Sequence, residues 1–207
     1  MDTKAKILHA ALELFSLYGY EGTSVAQIGE AAGIKAPSIY KHYKNKQAVF
    51  EAILWEMQER YDEQAVRLGM DEKGGPPAGA AFSEVSPDRL TEMVLQLFRF
   101  FLTDPYMVKI RRMMVLEQYR SPRVAALYRE MYFDGPLSYQ AEVFRGLIAS
   151  GKLQGSDPDT MAREFYAPIF MLLTLCDHSP ERIGEAEDHI RKHILQFSAC
   201  YGKEAAK

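Results

Sequence analysis

The residues with the clearest chemical potential are the lysines of a short segment near the amino terminus. Four lysines and no acidic residue lie between Lys35 and Lys46. Ammonium groups neutralise phosphates and donate hydrogen bonds to base edges, so such a segment is typical of nucleic-acid binding. The whole chain holds 25 Lys and Arg against 28 Asp and Glu, a net charge of −3. The basic segment therefore lies within an otherwise acidic molecule.

A second group of spacings could bind phosphate or metal, but each lacks a required part. The run from Gly146 to Lys152 approximates a phosphate-binding loop, yet Leu153 follows where Ser or Thr would hold magnesium. His189 and His193 lie four residues apart with Cys200 on the same flank, which could be a metal edge; a polar flank is the favoured interpretation. With no HExxH, GxSxG or Glu-x-x-His motif in the sequence, we expect no catalytic residue, no metal and no cofactor.

The elements that must position the basic segment are helices. Apolar residues recur at helical spacing along nearly the whole chain and no run alternates with a period of two, so the chain is predicted to be all-α. Two short helices, 25–32 and 36–43, are joined by a turn at Gly33, as in a helix-turn-helix. Helices over 4–18 and 46–67 would cover their apolar sides. Further helices are predicted over 87–103, 105–119, 122–133, 136–150, 158–177 and 180–201, with a flexible Gly/Pro-rich connection over 69–80.

The second short helix carries small, polar or basic side chains, which suits an element that enters a major groove about 12 Å wide. The residues concerned are Ser38, Lys41 and His42, with Lys35 and Ala36 just ahead of them and with Lys44 and Lys46 beyond, within reach of phosphates. The alternative is the solvated surface helix of an ordinary bundle.

The stretch from Thr23 to Lys46 also carries a recognisable series of residues. They are Ile28, Ala31, Ala32, Gly33 and Ile34 around the turn, and Tyr40, His42, Tyr43, Lys44 and Lys46 at the end. This series resembles the DNA-binding signature of the tetracycline-repressor (TetR) family of regulators, in which Thr opens the second helix, Ile-Ala-x-Ala-Gly-Val forms the turn, and Tyr-x-His-Phe precedes Lys-x-Lys. The departures are Gly29 for Ala, Pro37 for a frequent Gly and Tyr43 for Phe. The rest of the chain matches the family only in length and helical content.

The resemblance implies how these residues would meet DNA. Phosphates would be held by Thr23, Ser24, Tyr40, His42 and Lys46, and base edges would be faced by Lys35, Ala36, Pro37, Ser38 and Lys41. Hydroxyl groups and cations position a protein on the duplex, while a few side chains read the sequence. Packing is the alternative role for Tyr40, and a surface hydrogen bond is the alternative for His42.

The same resemblance implies a two-part protein that is not an enzyme. Residues 1–60 would form a three-helix DNA-binding domain with the helix-turn-helix at 24–43, and residues 61–207 a larger helical domain for ligand binding and dimerisation. A homodimer would bind a palindromic double-stranded operator, and an apolar or amphipathic small-molecule effector would release it. Repression is the default of the family. A helical ligand-binding or enzymatic bundle that does not bind DNA is the second hypothesis.

Apolar side chains in the second part offer two kinds of surface. Stripes on the last two helices could form a four-helix dimer interface, although core packing within one subunit needs the same stripes. The stripes are Met161, Phe165, Ile169, Leu172, Leu173 and Cys176, and Ile183, Ile190, Ile194, Phe197 and Tyr201. Candidates for an apolar ligand pocket, or for core, are Phe98, Phe101, Ile110, Met113, Met114, Glu117, Tyr128, Tyr132, Phe165 and Phe170.

Glu117 is the most unusual of these candidates, because its carboxylate falls within an apolar helical stripe. A buried charge requires a partner. We expect an internal one, from Arg99, Arg111 or Arg145, and a cationic ligand is the alternative.

No segment predicts export or membrane insertion. Polar and acidic residues interrupt the apolar run at the start of the chain, and the longest apolar stretch, 167–176, is about half of what a bilayer requires. The two cysteines, Cys176 and Cys200, are expected to be reduced thiols. We therefore expect a cytoplasmic protein without a membrane partner.

Overall fold

The computed structural model describes residues 2–68 and 86–202, and these are mostly helical. In chain order the helices are α1 (Thr3–Tyr18), α2 (Val25–Ala31), α3 (Ala36–Ile39), α4 (Lys46–Arg67), α5 (Pro87–Thr103), α6 (Pro105–Glu117), α7 (Pro122–Arg129), α8 (Gly135–Ala149), α9 (Pro158–His178) and α10 (Ile183–Tyr201). Within the two described ranges there is no strand, only an isolated antiparallel bridge between Leu153 and Gly202. The all-α prediction is confirmed, and the predicted connection over 69–80 lies outside the described residues.

The helix bounds differ from the predicted ones mainly at two places. α3 ends at Ile39 rather than at 43, and the chain continues as a turn in which the N–H groups of His42 and Tyr43 both donate to the Ile39 carbonyl at 2.9 Å. The break predicted after 133 is absent, because a π-helical segment, Glu130–Asp134, joins α7 to α8. Near the carboxyl end, a 3-10 turn over Pro180–Arg182 precedes α10.

The described chain divides into two compact units. The first contains the residues up to Tyr61 together with Pro105–Tyr128, so α6 and nearly all of α7 belong with α1–α3 and with the part of α4 up to Tyr61. The second contains the residues from Asp62 to Asp104 and from Arg129 onward, with α5 and α8–α10. The predicted boundary at residue 60 lies next to Tyr61, where the chain first passes from the first unit to the second. Residues 105–128, which the sequence placed in the ligand-binding part, belong to the first unit.

The core of the first unit is formed by apolar residues of α1, α4 and α6. The Tyr106 hydroxyl ties α6 to α4 by donating to the Ile53 carbonyl at 3.0 Å. Burying one large apolar side chain, such as Ile, Phe or Met, contributes about 1.5–3 kcal/mol to the free energy of unfolding relative to leaving it exposed. Fully buried members are Ile7, Phe15, Val49, Ile53, Met107, Ile110, Met113 and Met114.

The core of the second unit is formed where α9 packs against α8, α10 and α5. Phe144, Phe165 and Phe197 make an aromatic cluster with ring centroids 5.1–5.6 Å apart. Arg99 joins α5 to α10 by donating two hydrogen bonds to Glu187, at 2.5 and 2.6 Å. The residues of the α9 stripe, and Ile190, Ile194 and Phe197 of α10, are buried within the chain, while Ile183 and Tyr201 are half-buried. These stripes are therefore core, which settles the alternative that the sequence left open.

Among the described helices, none is both long enough and apolar enough to cross a membrane.

Candidate nucleic-acid interface

The helix-turn-helix is fixed by local hydrogen bonds. The Ser24 hydroxyl accepts from the Gln27 N–H at 3.2 Å, and Gln27 Oε1 accepts from the Ser24 N–H at 2.8 Å, which forms a capping box at the start of α2. The chain then turns at Gly33, whose φ of 70° is costly for residues with a side chain. The Ile34 N–H donates to the Gly29 carbonyl at 2.9 Å and closes the turn. These bonds set the direction in which α3 leaves α2.

The recognition face is the outer side of α3 and the residues next to it. Ile39, 1% exposed, anchors α3 to the core, and Pro37 lies in the first turn, where no N–H is needed. The Tyr40 side chain is 56% exposed, so packing does not account for it. Of the predicted DNA contacts, Ser24, Lys35, Pro37, Tyr40, Lys41 and His42 are exposed, and Ala36 and Ser38 are half-buried. Local folding thus presents small, hydroxyl-bearing and cationic groups together on one short segment.

Two of the ten predicted DNA contacts are used inside the protein instead. Thr23 is 2% exposed and its hydroxyl donates to the Gly19 carbonyl at 2.9 Å. Lys46 Nζ donates to the carbonyls of Tyr20 and Thr23, at 2.8 and 3.0 Å, and lies 4.1 Å from the centre of the Tyr20 ring. The hydroxyl hydrogen of Thr23 is therefore used by the Gly19 carbonyl. Two of the three N–H bonds of the Lys46 ammonium are already used.

Tyr43, which replaces the Phe of the resembled signature, is buried behind the recognition face. Its side chain is 5% exposed, and its hydroxyl has no hydrogen-bond partner among the described residues. Burial raises the pKa of Tyr43 to about 12, with smaller contributions from the carboxylates of Glu56 and Asp2. The ring fits the core as Phe would, while the hydroxyl adds a polar group that the core does not satisfy.

Glu117 has an internal partner, but not one of the arginines expected from the sequence. The residue is 1% exposed, and its Oε1 accepts a hydrogen bond from the backbone N–H of Tyr20 at 2.8 Å. Arg120 Nη1 lies 3.8 Å away. Of the expected arginines, Arg99 pairs with Glu187 and Arg145 with Glu142. The sequence prediction considered only charged side chains as partners, and it therefore could not identify a backbone amide.

The ten candidate pocket residues are divided between the two units. Phe170 is the one of the ten that lines a groove of about 580 Å³ along the outer face of α9, within the described residues. Ile110, Met113, Met114, Glu117 and Tyr128 lie in the first unit; Phe98, Phe101, Tyr132, Phe165 and Phe170 lie in the second.

The groove on α9 was missed because it uses the side of the helix opposite the core stripe. Tyr166, Phe170 and Met171 supply apolar wall, and Arg163 and His178 supply polar groups. Apolar residues all around a helix indicate that both of its sides are covered or bind something, and that pattern was present in the sequence. The possible metal edge is used differently: His193 Nε2 lies 2.9 Å from the Phe165 carbonyl, and His189 lies 3.7 Å from Glu185.

Comparison with known proteins gives two family matches. The model of bacterial regulatory proteins of the tetR family matches residues 7–53, and that of the AefR-like transcriptional repressor C-terminal domain matches residues 88–203. The HTH-type transcriptional repressor ComR of Escherichia coli is 47% identical over 47 residues, 23% of this chain and 22% of ComR. The regulator TtgR of Pseudomonas putida is 30% identical over 103 residues, 50% of this chain and 44% of TtgR. The matches thus span less than half the length of these curated relatives.

Solved structures extend the likeness to the whole fold. The complex of SmeT with triclosan has a TM-score of 0.66 and 24% identity, over 99% of this chain and 94% of SmeT. SmeT is the repressor of the Stenotrophomonas maltophilia multidrug efflux pump SmeDEF. At this identity the likeness demonstrates a shared fold.

Proposed function

Since this chain belongs to the TetR family of bacterial regulatory proteins, we propose that it is a ligand-responsive repressor that binds operator DNA through α3. The observation that carries the proposal is the recognition face: Lys35, Lys41 and Lys44 are exposed beside a helix that Ile39 anchors to the core. Cations presented in this way can reach phosphates and guanine edges in a major groove. A DNA target places the protein in the cytoplasm.

The roles proposed on the recognition face are those that the family signature implies for the residues exposed or half-buried there. Lys35, Ala36, Pro37, Ser38 and Lys41 face base edges, and Ser24, Tyr40 and His42 hold phosphates. Thr23 and Lys46 act indirectly, because their polar groups bind the backbone between α1 and α2.

Binding is tested with the intergenic DNA upstream of the protein's own gene, by fluorescence anisotropy at several salt concentrations. Lys35→Ala and Lys41→Ala each weaken binding by about tenfold, since a base contact is worth about 1–3 kcal/mol. Lys152→Ala removes the same charge from an exposed position of the second unit and is the control. Wild-type protein that shows no salt-dependent binding would contradict the proposal and favour a bundle that does not bind DNA.

We further propose a homodimer on a palindromic operator, because one helix-turn-helix reads too few base pairs for useful affinity. Exposed apolar side chains outside the core support a surface on α9 and α10: Met171 is 60% and Leu195 58% exposed. Met171→Glu would then convert the dimer to monomers in analytical ultracentrifugation, and Lys152→Glu would not. A wild-type protein that is monomeric at micromolar concentration would contradict this surface.

The effector is proposed to be apolar or amphipathic and to bind the second unit beside its aromatic side chains. The Tyr132 and Phe133 rings lie 6.3 and 4.9 Å from the Phe170 ring, and Phe170 borders the groove on α9. SmeT, a structural relative, has been solved with triclosan. Compounds that raise the unfolding temperature are tested for release of DNA. Phe170→Ala should weaken both effects while Val66→Ala, at an exposed position outside the groove and the proposed dimer surface, keeps them; equal responses in the two variants would exclude Phe170 from the site.

A further inference from the structure

The turn between α1 and α2, residues 19–23, is held by hydrogen bonds to α1, α4 and α6 as well as within itself. The Gly19 N–H donates to the Phe15 carbonyl at 3.0 Å, and the Gly19 carbonyl accepts from the Thr23 hydroxyl. The Tyr20 carbonyl accepts from Lys46, and the Tyr20 N–H donates to Glu117. Two of these bonds come from far along the chain, since Lys46 is 26 and Glu117 is 97 residues from Tyr20. The turn is therefore fixed by α4 and by α6.

The carboxylate of Glu117 is committed to this turn. It is 1% exposed, and Arg120, the cation that pairs with it, is 61% exposed and 3.8 Å away. A contact that long and that exposed compensates a buried charge only weakly. The short hydrogen bond from Tyr20 is therefore the main stabilising contact of this carboxylate, and losing it would leave the charge buried with poor compensation.

Gly19 makes the approach of Glu117 possible. Its φ is 77°, in the region that favours glycine, and a Cβ at this position would lie 2.3 Å from Glu117 Oε1. The backbone conformation thus favours glycine, and the carboxylate occupies the space that a side chain at this position would need. Two residues far apart in the chain are matched at one point of contact.

Lys46 completes the arrangement from the other side of the same residue. Its ammonium binds the Tyr20 carbonyl while the Glu117 carboxylate binds the Tyr20 N–H. The negative group meets the donor and the positive group meets the acceptor, so both charges stabilise one backbone orientation. Ser24, the cap of α2, follows Thr23 directly. Holding Tyr20 therefore holds the start of the helix-turn-helix against α4 and α6.

We propose that Glu117 is a positioning residue for DNA recognition, which sets the placement of α2 and α3 through the Tyr20 backbone without touching DNA. The inference rests on the proposed function, because the property that it controls is operator affinity. It assigns a role to a buried carboxylate that neither the recognition face nor the groove on α9 uses.

The test combines amide exchange at Tyr20, measured by NMR on the full chain without DNA, with operator affinity at several salt concentrations. Glu117→Ala accelerates Tyr20 exchange and weakens operator binding, each by about tenfold. The slope of log affinity against log salt stays unchanged, because no phosphate contact is lost. Glu117→Gln, whose amide oxygen can still accept from Tyr20, restores most of both properties. Glu117→Asp shortens the side chain by one methylene group and should give an intermediate loss of both properties. It replaces Glu117→Ala in the test if the Ala variant does not fold.

Glu13→Gln is the matched control, because Glu13 pairs with Lys109 between α1 and α6 and does not touch the turn. It should leave Tyr20 exchange and operator affinity within about twofold of wild type. Unchanged Tyr20 exchange in Glu117→Ala, or an affinity loss as large in Glu13→Gln, would overturn the proposal. A smaller salt slope in Glu117→Ala would also overturn it. If wild type binds no DNA while Tyr20 exchange behaves as expected, the proposed function and the positioning role fail, whereas the contact itself stands.

Discussion

The recognition face and the α1–α2 turn carry similar residue types but use them in opposite ways. On and beside α3, Lys35 and Lys41 are exposed to solvent on a segment that Ile39 anchors to the core. In the turn, Thr23 and Lys46 direct their polar groups to backbone atoms of residues 19–23. The family resemblance implied DNA contact for both groups. Whether a hydroxyl or an ammonium is available to an external partner therefore depends on whether backbone carbonyls that need a donor lie nearby.

The largest expected effect on stability comes from Lys46, whose ammonium binds the α1–α2 turn from the start of α4. Lys46→Met keeps the aliphatic stem but removes two hydrogen bonds to carbonyls, and should lower the free energy of unfolding by about 2 kcal/mol in urea titrations. Lys44→Met, at an exposed position, should change it by less than about 0.5 kcal/mol. If both substitutions were equally mild and both reduced the salt dependence of DNA binding, the two regions would not differ in the way described.

A smaller loss is expected for the buried hydroxyl. Thr23→Val has nearly the same shape and leaves the Gly19 carbonyl without its donor, so unfolding should become easier by about 1.5 kcal/mol. Ser24→Ala removes the cap of α2 and should cost about 1 kcal/mol. Thermal unfolding measures both. A Thr23→Val variant with wild-type stability and weakened DNA binding would instead identify the hydroxyl as a phosphate contact.

Substitution of Tyr43 is expected to raise the stability of the protein rather than to lower it. Tyr43→Phe removes a buried hydroxyl that has no partner among the described residues, and should raise the free energy of unfolding by about 1 kcal/mol. The comparison variant is Tyr20→Phe, in which a hydroxyl that donates to Gln47 at 3.1 Å is lost. That variant should show no gain in the same urea titration. A loss of stability in Tyr43→Phe would mean that the hydroxyl is satisfied after all.

The smallest effect is expected for an ion pair of intermediate exposure, in the second unit. The hydrogen bonds from Arg99 hold the pKa of Glu187 below its usual range. A lowered folded-state pKa means that the stabilisation is complete above the unfolded pKa, about 4.3, and is lost as the pH falls through the folded value. Arg99 is 43% exposed, so Glu187→Gln should cost only about 0.5 kcal/mol at pH 7.

Thermal unfolding at a series of pH values checks this last prediction. The difference between Glu187→Gln and wild type should shrink as the pH falls below about 4. A difference that grew toward acid pH would show that the charge of Glu187 is not what stabilises the pair.

The sequence predicted the helical architecture well where periodicity was long and its ends were marked. α4 and α5 begin and end at the predicted residues, and in α5 a Ser cap and a Pro in the first turn mark the start. α3 was predicted four residues too long, because the turn after Ile39 keeps apolar and polar residues at near-helical spacing. The π-helical segment was missed since Pro136 suggested a new start, whereas the wider π turn accommodates it within a continuous run.

The exposure of the recognition face could be predicted, because its residues are close together in the sequence, on and beside α3. The partners of Thr23, Lys46 and Glu117 were not predictable, because they are backbone groups, and those of Lys46 and Glu117 lie 26 and 97 residues away in the sequence. Periodicity identified Glu117 as buried, and burial is what α6 shows. A hydropathy pattern does not indicate that the partner is the Tyr20 amide, nor that 105–128 belongs with the first unit.

The contact between Glu117 and Tyr20 also has a consequence for synthesis of the chain. The 97 residues between them take roughly 5–20 s to translate at typical bacterial rates. For most of that time the complete helix-turn-helix sequence exists without the carboxylate that holds the preceding α1–α2 turn. A nascent chain that ends before Pro105 contains every residue of the recognition face, yet it lacks α6. On the proposed role of Glu117, full operator affinity is therefore expected only after α6 has been made.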